Sequence, residues 1–416
     1  GAGRIERDNT GFDVGAYKEA LLTLGREKLT EYEEVILMNF TLAGPVCPLG
    51  PMFAAMDARA ELDFWGLTRH YAMQSRRFGG AVPEHLQSHF LALRPRLFNS
   101  DAFWDYWQQM ALPASYEQSV ILHETRFTPY FAAKGYIWDT YVNTDDLCGV
   151  FVNPIMACPA ELLQKRDCPF FKRRSLFTPY ADELRRTDGC AAGELYRYVK
   201  AHTEFPVDLL LASLLQTQPM AALAKNLHWN YVIAEPAAEV PDLAALGLRL
   251  LRYTLPAADP VTDWYNKKAS ADADALLGRA AQLFEKKPLL GVLSPALPLW
   301  QGCAAARRTQ WQRDAWTLAE KAAVPVGSDP LPAPNCGWLL VREASFLDGI
   351  PPCTTQRDAW QLALTAQAAG YYAAAFETAA QAAARADVLD VYEADAARPA
   401  AVAKHLGRLI KHKLQK

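Results

Sequence analysis

Glu124 is the residue whose neighbours in the sequence most directly suggest catalysis. It lies in VILHETRF, with His123 before it and Arg126 two positions after it. A carboxylate beside cationic groups can accept a proton from a hydroxyl nucleophile. We therefore predict that Glu124 is a general base, although a glutamate in such a segment is more often a solvated residue of a helix.

A second set of candidates is cationic. Lys172, Arg173 and Arg174 are consecutive in CPFFKRRSLF, and side chains of this kind bind phosphate groups. We predict that Lys172 and Arg173, together with Arg126, contact an anionic ligand. The alternative is a cluster that only faces water.

The stretch RDNTGFDVGA, residues 7–16, combines glycines with polar side chains ahead of a predicted helix. Glycine lets a backbone approach a ligand closely, and a helix N-terminus favours anions. Asn9, Gly11 and Asp13 are therefore candidate ligand contacts. Asp13 has a second interpretation, as the N-cap of the helix, and that role is the more frequent one.

Two predicted strands carry polar residues near their ends. The run VILM, residues 35–38, is followed by Asn39, and the next strand contains Asp63 and Trp65. In open α/β sheets, ligands bind in the crevice at the carboxyl ends of the strands. We predict that Asn39, Asp63 and Trp65 contact the ligand there. Alternatively, the segments form only a strand and a turn, and Trp65 belongs to the core.

The segment HLQSHF places three polar residues at alternate positions. His85, Gln87 and His89 would share one face of a strand. Two histidines at this spacing could bind a metal, but no third ligand has a suitable spacing. We therefore predict that His85 and Gln87 form hydrogen bonds with a sugar hydroxyl; simple surface polarity is the alternative.

Short apolar runs alternate with segments of helical periodicity through the first 145 residues. This alternation is typical of an α/β sheet. The predicted helices span residues 14–24, 51–60, 101–110 and 115–127, and the predicted strands span residues 35–38, 62–67 and 88–93.

A second α/β pattern follows a segment that is rich in proline, phenylalanine and basic residues. We predict an α/β domain at residues 1–145, a connecting basic loop and helical segment at 146–240, and a second α/β domain with a helical C-terminus at 241–416. In this second domain, strands are predicted from about 248, at 289–293 and at 337–341, and the alanine-rich stretch 360–384 is predicted to be helical.

The composition is that of a globular protein. Of the 416 residues, 51% are hydrophobic and 21% are charged, and the net charge of −3 gives no general attraction to nucleic acid. The eight cysteines form no CxxC pair, which argues against a structural zinc site. With no secretory signal at the start, we expect reduced thiols and a cytoplasmic protein. No P-loop, GxSxG or dinucleotide motif is present.

The C-terminal segment KHLGRLIKHKLQK, residues 404–416, contains five Lys or Arg residues and no acid. Its apolar residues fall on one face of a helix. Such a helix can lie on an anionic membrane, with about 1 kcal/mol from each basic residue near the surface. We expect either peripheral contact with the inner face of the cell membrane or, more often for such a segment, a helix packed on its own domain.

Several of these segments, in this order, resemble the rhamnan synthesis protein F family. The resemblance continues more weakly in the second domain, at FEKKPLLGVLSP and PAPNCGWLLVREASF. The segments that carry it are RDNTGFDVGAYKEAL, EEVILMNFTLAGPVCPLGPMF, LDFWGLT, HLQSHFLALRPRLFNSDAFWDYW and HETRFTPYFAAKGY.

The resemblance implies a glycosyltransferase that assembles rhamnose-containing polysaccharides of the bacterial cell surface. Its first domain would have the Rossmann-like fold called GT-A, and the second would also handle sugars. The donor would be a nucleotide-sugar such as dTDP-rhamnose, and the acceptor a lipid-linked or polymeric glycan. Transfer needs a base for the acceptor proton and positive charge at the leaving diphosphate.

The sequence departs from the family pattern in two places. Phe40 stands where the family usually has Asp, in LMNF rather than LMND. The cofactor is therefore left open between none and a magnesium or manganese ion that accompanies the nucleotide-sugar. Without the ion, basic residues would have to stabilise the diphosphate, or transfer is lost. The chain also begins a few residues before RDNTG, so we expect either a fragment or a GT-A domain without its opening strand and helix. A catalytically degenerate domain that binds glycan or a partner enzyme is the alternative function.

Overall fold

A computed structural model gives the fold of the chain. It describes residues 3–237, 239–296, 301–327, 329, 331, 336–396, 399, 403, 406, 407 and 410. The chain divides into two compact units, unit 1 at Gly1–Val207 and unit 2 at Asp208–Lys416. The predicted connecting segment, residues 146–240, is thus shared between the two units.

Unit 1 is built on a four-stranded sheet in the order β1-β8-β3-β9. β8 is antiparallel to both β1 and β3, and β3 is parallel to β9. The strands of unit 1 are β1 Val35–Met38, β2 Leu42–Ala43, β3 Phe64–Gly66, β4 Arg69–His70, β5 Met73–Ser75, β6 Gly80–Val82, β7 His85–Leu86, β8 Phe90–Leu93, β9 Trp138–Thr140 and β10 Phe171–Lys172.

These directions place several chain segments at one edge of the sheet. Because β1 and β3 both run antiparallel to β8, they run in the same direction, and their carboxyl ends lie at the same edge, as predicted. Asn39 follows β1 and Thr68 lies just after β3. Ser88 and His89 reach the same edge because they directly precede β8.

Helices cover the sheet of unit 1 and bury its aromatic core, which includes Phe64, Phe98, Trp107 and Phe131. A π-helical turn, Val120–Glu124, interrupts the predicted helix over residues 115–127. The helices of unit 1 are α1 Phe12–Leu29, α2 Gly50–Asp57, α3 Pro95–Phe98, α4 Asp101–Gln109, α5 Tyr116–Ser119, α6 Thr125–Ala132, α7 Pro154–Ala157, α8 Pro159–Lys165, α9 Tyr180–Arg186 and α10 Ala191–His202.

Unit 2 contains a five-stranded mixed sheet in the order β11-β15-β13-β14-β12. β15 is parallel to both of its neighbours. The strands are β11 Asn230–Ile233, β12 Leu248–Arg252, β13 Leu290–Pro295, β14 Trp338–Arg342 and β15 Tyr372–Thr378. The helices are α11 Val207–Thr217, α12 Met220–Asn226, α13 Pro260–Asp274, α14 Leu277–Lys286, α15 Gln301–Ala322, α16 Gln356–Ala368 and α17 Ala379–Ala396.

The prediction of a continuous helix over residues 360–384 is wrong. Gly370, with φ +84°, follows α16, and the next residues form β15 between two parallel neighbours. Alanine favours helices in isolation, but a strand that is covered on both faces needs small apolar side chains as well. Tertiary packing therefore overrides the local propensity.

No helix among the described residues is long and apolar enough to cross a membrane. Most of the segment 404–416, including its five basic residues, lies outside the described residues. Leu406 and Ile410 are described, and both are more than half exposed, at 53% and 55%.

Candidate functional site

A chain of side-chain hydrogen bonds runs along the carboxyl edge of the unit 1 sheet. The Nζ of Lys172 donates to Thr41 Oγ1 at 3.1 Å. Thr41 in turn donates to Asn39 Oδ1 at 2.5 Å, and Asn39 Nδ2 donates to Asp13 Oδ2 at 2.5 Å. Three predicted site residues that are far apart in the sequence, Asp13, Asn39 and Lys172, are thus joined through Thr41.

Lys172 reaches this edge because β10 pairs with β2. Phe171 lies opposite Ala43, and Lys172 lies opposite Leu42. Gly44 makes the close approach possible, since a Cβ at this position would lie 2.6 Å from the carbonyl oxygen of Pro169. The glycine of the LAGP turn therefore serves to bring a distant cationic segment to the strand end.

Asp13 is placed by an unusual turn at the start of α1. Gly11 and Phe12 both have positive φ, of 75° and 55°, and for a bulky residue such as Phe12 this conformation is strained. The N-cap is Gly11, which has no side chain, so the interpretation of Asp13 as the cap is wrong. The Asp13 carboxylate bonds to Asn39 instead.

Glu124 occupies the last position of the π-helical turn. Its Oε2 accepts hydrogen bonds from the hydroxyl of Ser88 at 2.6 Å and from the Ser88 backbone N–H at 3.3 Å. Its Oε1 lies 3.7 Å from the Nε2 of His85, a contact too long for a hydrogen bond. Single π turns inside helices are rare and frequent at functional sites.

Tyr17 connects the two groups of polar residues. Its hydroxyl donates to the carbonyl oxygen of Ser88 at 3.1 Å, and Ser88 is the residue that bonds to Glu124. The charge of Glu124 also acts on Asp13 and Lys172. The five predicted residues Asp13, Asn39, His85, Glu124 and Lys172 therefore belong to one electrostatically connected cluster, which we call the edge cluster.

The protonation equilibria of the edge cluster are strongly shifted. Burial tends to raise the pKa of Glu124, but His85, Lys172 and the Ser88 hydrogen bond together hold it well below its ordinary value. Burial raises the pKa of Asp13, and the nearby Lys172 only partly offsets this. Burial lowers the pKa of Lys172 to about 8, against the attraction of Glu124 and Asp13. Such opposed shifts are common where proton transfer occurs.

The predicted strand HLQSHF is only partly a strand. β7 ends at Leu86, and the chain then turns before β8 begins at Phe90. Gln87 accepts a hydrogen bond from Thr68 at 2.8 Å and donates to Asn153 at 3.3 Å, so its amide is used inside the protein. The interpretation of this segment as surface polarity is wrong, because all six of its residues are buried.

A cavity of about 220 Å³ opens beside Glu124 and His85. His70 stacks on His85 with ring centroids 5.1 Å apart. The remaining lining residues are Met73, Arg77, Phe78, Val82, Tyr116, Val120, Val152, Asn153, Met156, Arg174 and Arg186. Burial and the neighbouring His85 lower the pKa of His70 to about 4.

Asp63 and Trp65 lie away from the edge cluster. Asp63 precedes β3 and so sits at the opposite edge of the sheet, where its carboxylate accepts from the Ile137 backbone N–H at 2.7 Å and from Arg96 at 2.5 Å. Trp65 is fully buried and donates to Glu34 at 2.7 Å. These contacts support the alternative that both residues stabilise the fold.

Four more predicted residues are also outside the edge cluster. Asn9 is exposed, and Gly11 contributes the turn before Asp13 rather than a ligand contact. Arg126 lines a different cavity, of about 610 Å³, with residues of α4 and α6. Arg173 is near the edge cluster, but its guanidinium contacts only the carbonyl oxygen of Phe40, at 3.5 Å.

Sequence reasoning missed Tyr17, Thr41, Ser88 and Arg186. The first three donate the hydrogen bonds that hold the predicted residues in place. Thr41 and Ser88 lie within the segments that were singled out, so their hydroxyl groups were a usable signal. Arg186, at the end of α9, had no such signal because only the tertiary fold brings it to the cavity.

The comparison with protein families gives the affiliation of the chain. The family model of rhamnan synthesis protein F matches residues 3–244, which is more than half of the 416 residues. The chain belongs to the rhamnan synthesis protein F family. No curated protein and no solved structure gave a match. The match confirms the resemblance for unit 1, whereas the resemblance of the segments after residue 244 stays a prediction.

The rhamnan synthesis protein F match includes the whole edge cluster, together with the exceptional Phe40. The Phe40 side chain is 75% exposed. The edge cluster does not fit a resident divalent cation, since Asp13 and Asn39 bond to each other and the ammonium group of Lys172 lies on the same hydrogen-bond chain. Across the described residues, no group of three or more His, Cys, Asp or Glu is arranged to hold a metal.

Proposed function

We propose that this protein is a glycosyltransferase of rhamnose-containing polysaccharide assembly. It would transfer a sugar from a nucleotide-sugar, such as dTDP-rhamnose, to a lipid-linked or polymeric glycan, with unit 1 as a GT-A-like donor domain. The observation that carries the proposal is the edge cluster, in which Asp13, Asn39, His85, Glu124 and Lys172 meet at the carboxyl ends of β1 and β3.

In the proposed sugar transfer, the charged residues of the edge cluster and its cavity act on the acceptor proton and on the leaving diphosphate. The bond between the anomeric carbon and the diphosphate breaks, and its electron pair leaves with the diphosphate oxygen. The acceptor hydroxyl oxygen forms the new bond to that carbon, and Glu124 takes the proton of the hydroxyl. Cationic residues around the cavity stabilise the charge that develops on the diphosphate.

The low pKa of Glu124 is compatible with a role as base in the donor complex. In the free protein, the charges of His85 and Lys172 act on Glu124 and lower its pKa. A diphosphate bound nearby would be attracted by the same cations and would add negative charge next to Glu124. Both effects raise the pKa of a carboxylate, towards the range in which it accepts a proton efficiently.

Titration calorimetry with a panel of nucleotide-sugars tests this function. We expect heat of binding with at least one donor, and transfer of its sugar to an acceptor glycan. If no member of the panel binds, the glycosyltransferase function is wrong for this chain.

One observation favours a second candidate, a degenerate domain that binds glycan or a partner enzyme without catalysis. Phe40 replaces the acidic residue that the family usually has, and its exposed ring is suited to stacking on a sugar. Donor binding without any transfer, together with glycan binding that is lost in Phe40→Ala, would support this candidate over the enzyme.

We further propose that the protein works in the cytoplasm, at the inner face of the membrane, through residues 404–416. The exposed apolar side chains of Leu406 and Ile410 support this proposal. Deletion of the segment should reduce sedimentation with vesicles that contain anionic lipid. Unchanged sedimentation would contradict the membrane contact and leave the proposed transfer reaction untouched.

A further inference from the structure

The cavity beside Glu124 has three arginines in its lining, from three separate segments of unit 1. Arg77 lies in a short 3-10 turn between β5 and β6. Arg174 lies in the turn after β10, and Arg186 is the last residue of α9. Because these segments are distant in the sequence, only the fold brings the three guanidinium groups to one cavity.

Two of these arginines have no counter-charge among the residues that the structure describes. Arg77 donates two hydrogen bonds to Glu117, at 3.1 and 2.8 Å. Arg174 and Arg186, in contrast, have no carboxylate within ion-pair distance among the described residues. Unneutralised guanidinium groups around a small cavity attract anions, since field lines are focused by the low-dielectric walls.

His85 gives a second, independent indication of a ligand. Its side chain is 1% exposed and lines the same cavity. Its Nδ1 contacts the carbonyl oxygen of Pro83 at 2.7 Å, whereas its Nε2 is buried and has no hydrogen-bond partner. A buried polar atom without a partner destabilises the protein. A hydrogen bond between Nε2 and an oxygen of a ligand would therefore recover this free energy and favour binding.

Glu124 adds a negative charge to the cavity, which must be set against the arginines. Its Oε2 is occupied by Ser88, and its Oε1 faces His85. Lys172 also attracts Glu124 from outside the cavity lining. The charge of Glu124 is thus balanced by groups other than Arg174 and Arg186, and these two remain available to a ligand.

The size of the cavity restricts the ligand. Its volume of about 220 Å³ is below the ~300–1,000 Å³ that is typical of pockets for small-molecule ligands. A diphosphate or a single hexose ring has this size, whereas a whole nucleotide-sugar is larger. The two free guanidinium groups favour the diphosphate, because arginine binds phosphate oxygens through paired hydrogen bonds.

We propose that Arg174, Arg186 and His85 form a phosphoryl-anion subsite that binds a diphosphate group. The anion could be inorganic pyrophosphate or the diphosphate of a nucleotide-sugar, and only the second source rests on the proposed function. The subsite lies next to Glu124, where the leaving group of a transfer reaction would have to be held. It would supply positive charge at the diphosphate without a metal ion.

Titration of the full chain with inorganic pyrophosphate tests the subsite. We expect binding to weaken at least tenfold in Arg174→Gln and in Arg186→Gln, and to be partly restored in Arg174→Lys, which keeps the charge. Arg185→Gln is the matched control, because Arg185 neighbours Arg186 but bonds to Asp182 and does not line the cavity. Thermal unfolding of each variant checks that the fold is retained.

The outcomes separate this proposal from the function on which it partly rests. Absence of pyrophosphate binding in the wild type, or equal binding by the double variant Arg174→Gln/Arg186→Gln, overturns the subsite even if sugar transfer is found. Arginine-dependent binding of pyrophosphate supports the subsite even if no nucleotide-sugar is a substrate. Competition between pyrophosphate and a nucleotide-sugar would identify the donor as the source of the anion.

Discussion

The two units use buried polar groups in different ways. In unit 1, polar side chains gather at one edge of the sheet, and the buried ring nitrogens His85 Nε2, His89 Nδ1 and His123 Nε2 have no hydrogen-bond partner. In unit 2, the described side chains of β13 are all buried and mainly apolar. Unit 2 also has buried side-chain atoms without a hydrogen-bond partner, such as Trp338 Nε1 and Gln361 Oε1. What distinguishes unit 1 is that ionisable residues gather at one edge of its sheet, beside a cavity.

The main buried polar residues of unit 2 have structural partners. Gln367 donates to the carbonyl oxygens of Leu215 and Gln218, at 2.8 and 3.1 Å. Glu377 accepts from Arg385 at 2.8 Å and also from Asn230. These bonds join helices or strands of the same unit, although Gln367 Oε1 is left without a hydrogen-bond partner.

This difference indicates how buried polar residues can be interpreted. A buried polar atom without a partner points to a ligand site only where it also faces a cavity and lies among ionisable groups with shifted pKa values. Among the described residues, His85 meets these conditions, which makes the edge cluster of unit 1 the candidate site. The family match, which ends at residue 244, covers the edge cluster and only the beginning of unit 2.

The largest effect is expected from Glu124→Gln. The glutamine oxygen can still accept from Ser88, so the fold should be retained, but the side chain can no longer take a proton. We expect sugar transfer to slow about 10²- to 10⁴-fold, with donor binding unchanged or tighter because a negative charge is removed. Steady-state kinetics with calorimetry measures both. The control is Glu27→Gln, at an exposed position of α1. Full activity in Glu124→Gln would exclude Glu124 as the base.

The second prediction is that acid weakens unit 1 before unit 2. Burial lowers the pKa of both His70 and His123 to about 4. Between pH 6.5 and 4 the unfolded chain binds protons at these residues and the folded unit does not, so stability falls as the pH falls through this window. The loss is on the order of a few kcal/mol.

Hydrogen exchange measured by mass spectrometry separates the two units in this pH window. Peptides from unit 1 should lose protection between pH 6.5 and 4.5, after correction for the intrinsic exchange rate. In unit 2, Asp259 and Asp358 have a lowered pKa because of hydrogen bonds at helix N-termini, so their contribution is lost only below about pH 4. Equal loss of protection in both units would show that protonation of His70 and His123 does not destabilise unit 1 selectively.

Local sequence patterns predicted the fold well where short apolar runs stand alone. β1, Val35–Met38, was predicted with its observed bounds, and the strands β12, β13 and β14 were located. The prediction from local sequence failed at β15. This strand is rich in alanine, has few charges and lies between two helical segments, and a local window with these features is typical of a helix. Its position between two strands depends on contacts that no local window contains.

The candidate site was predictable by residue type but not by geometry. Asp13, Asn39, Glu124 and Lys172 were selected because polar groups at the ends of elements bind ligands, and the structure brings them together. Their connection depends on Lys172 reaching Thr41 across 131 residues. Asp63 was selected by the same rule and excluded by strand direction, which places it at the opposite edge.

A smaller effect is expected from Gln367→Ala in unit 2. The substitution leaves the carbonyl oxygens of Leu215 and Gln218 without their donor, which should lower the free energy of unfolding by about 1–3 kcal/mol. Urea denaturation measures this value. Sugar transfer at temperatures below unfolding should be unchanged, whereas Ser88→Ala, which removes the hydroxyl donor to Glu124, should slow transfer in addition to lowering stability. Loss of transfer in Gln367→Ala would contradict the division of roles between the units.

The smallest effect on stability is expected from Phe40→Asp. The Phe40 side chain is 75% exposed, so its replacement should change the free energy of unfolding by no more than about 0.5 kcal/mol. Magnesium should not strengthen donor binding in this variant, since a side chain directed to solvent is poorly placed to join Asp13 and Asn39 as ligands. Calorimetry with and without magnesium tests this, with Phe40→Asn as the uncharged control. Donor binding that depends on magnesium in Phe40→Asp but not in Phe40→Asn would show that the edge cluster is a metal site that has lost one ligand. The arginines of the cavity would then be a later replacement for the charge of the metal.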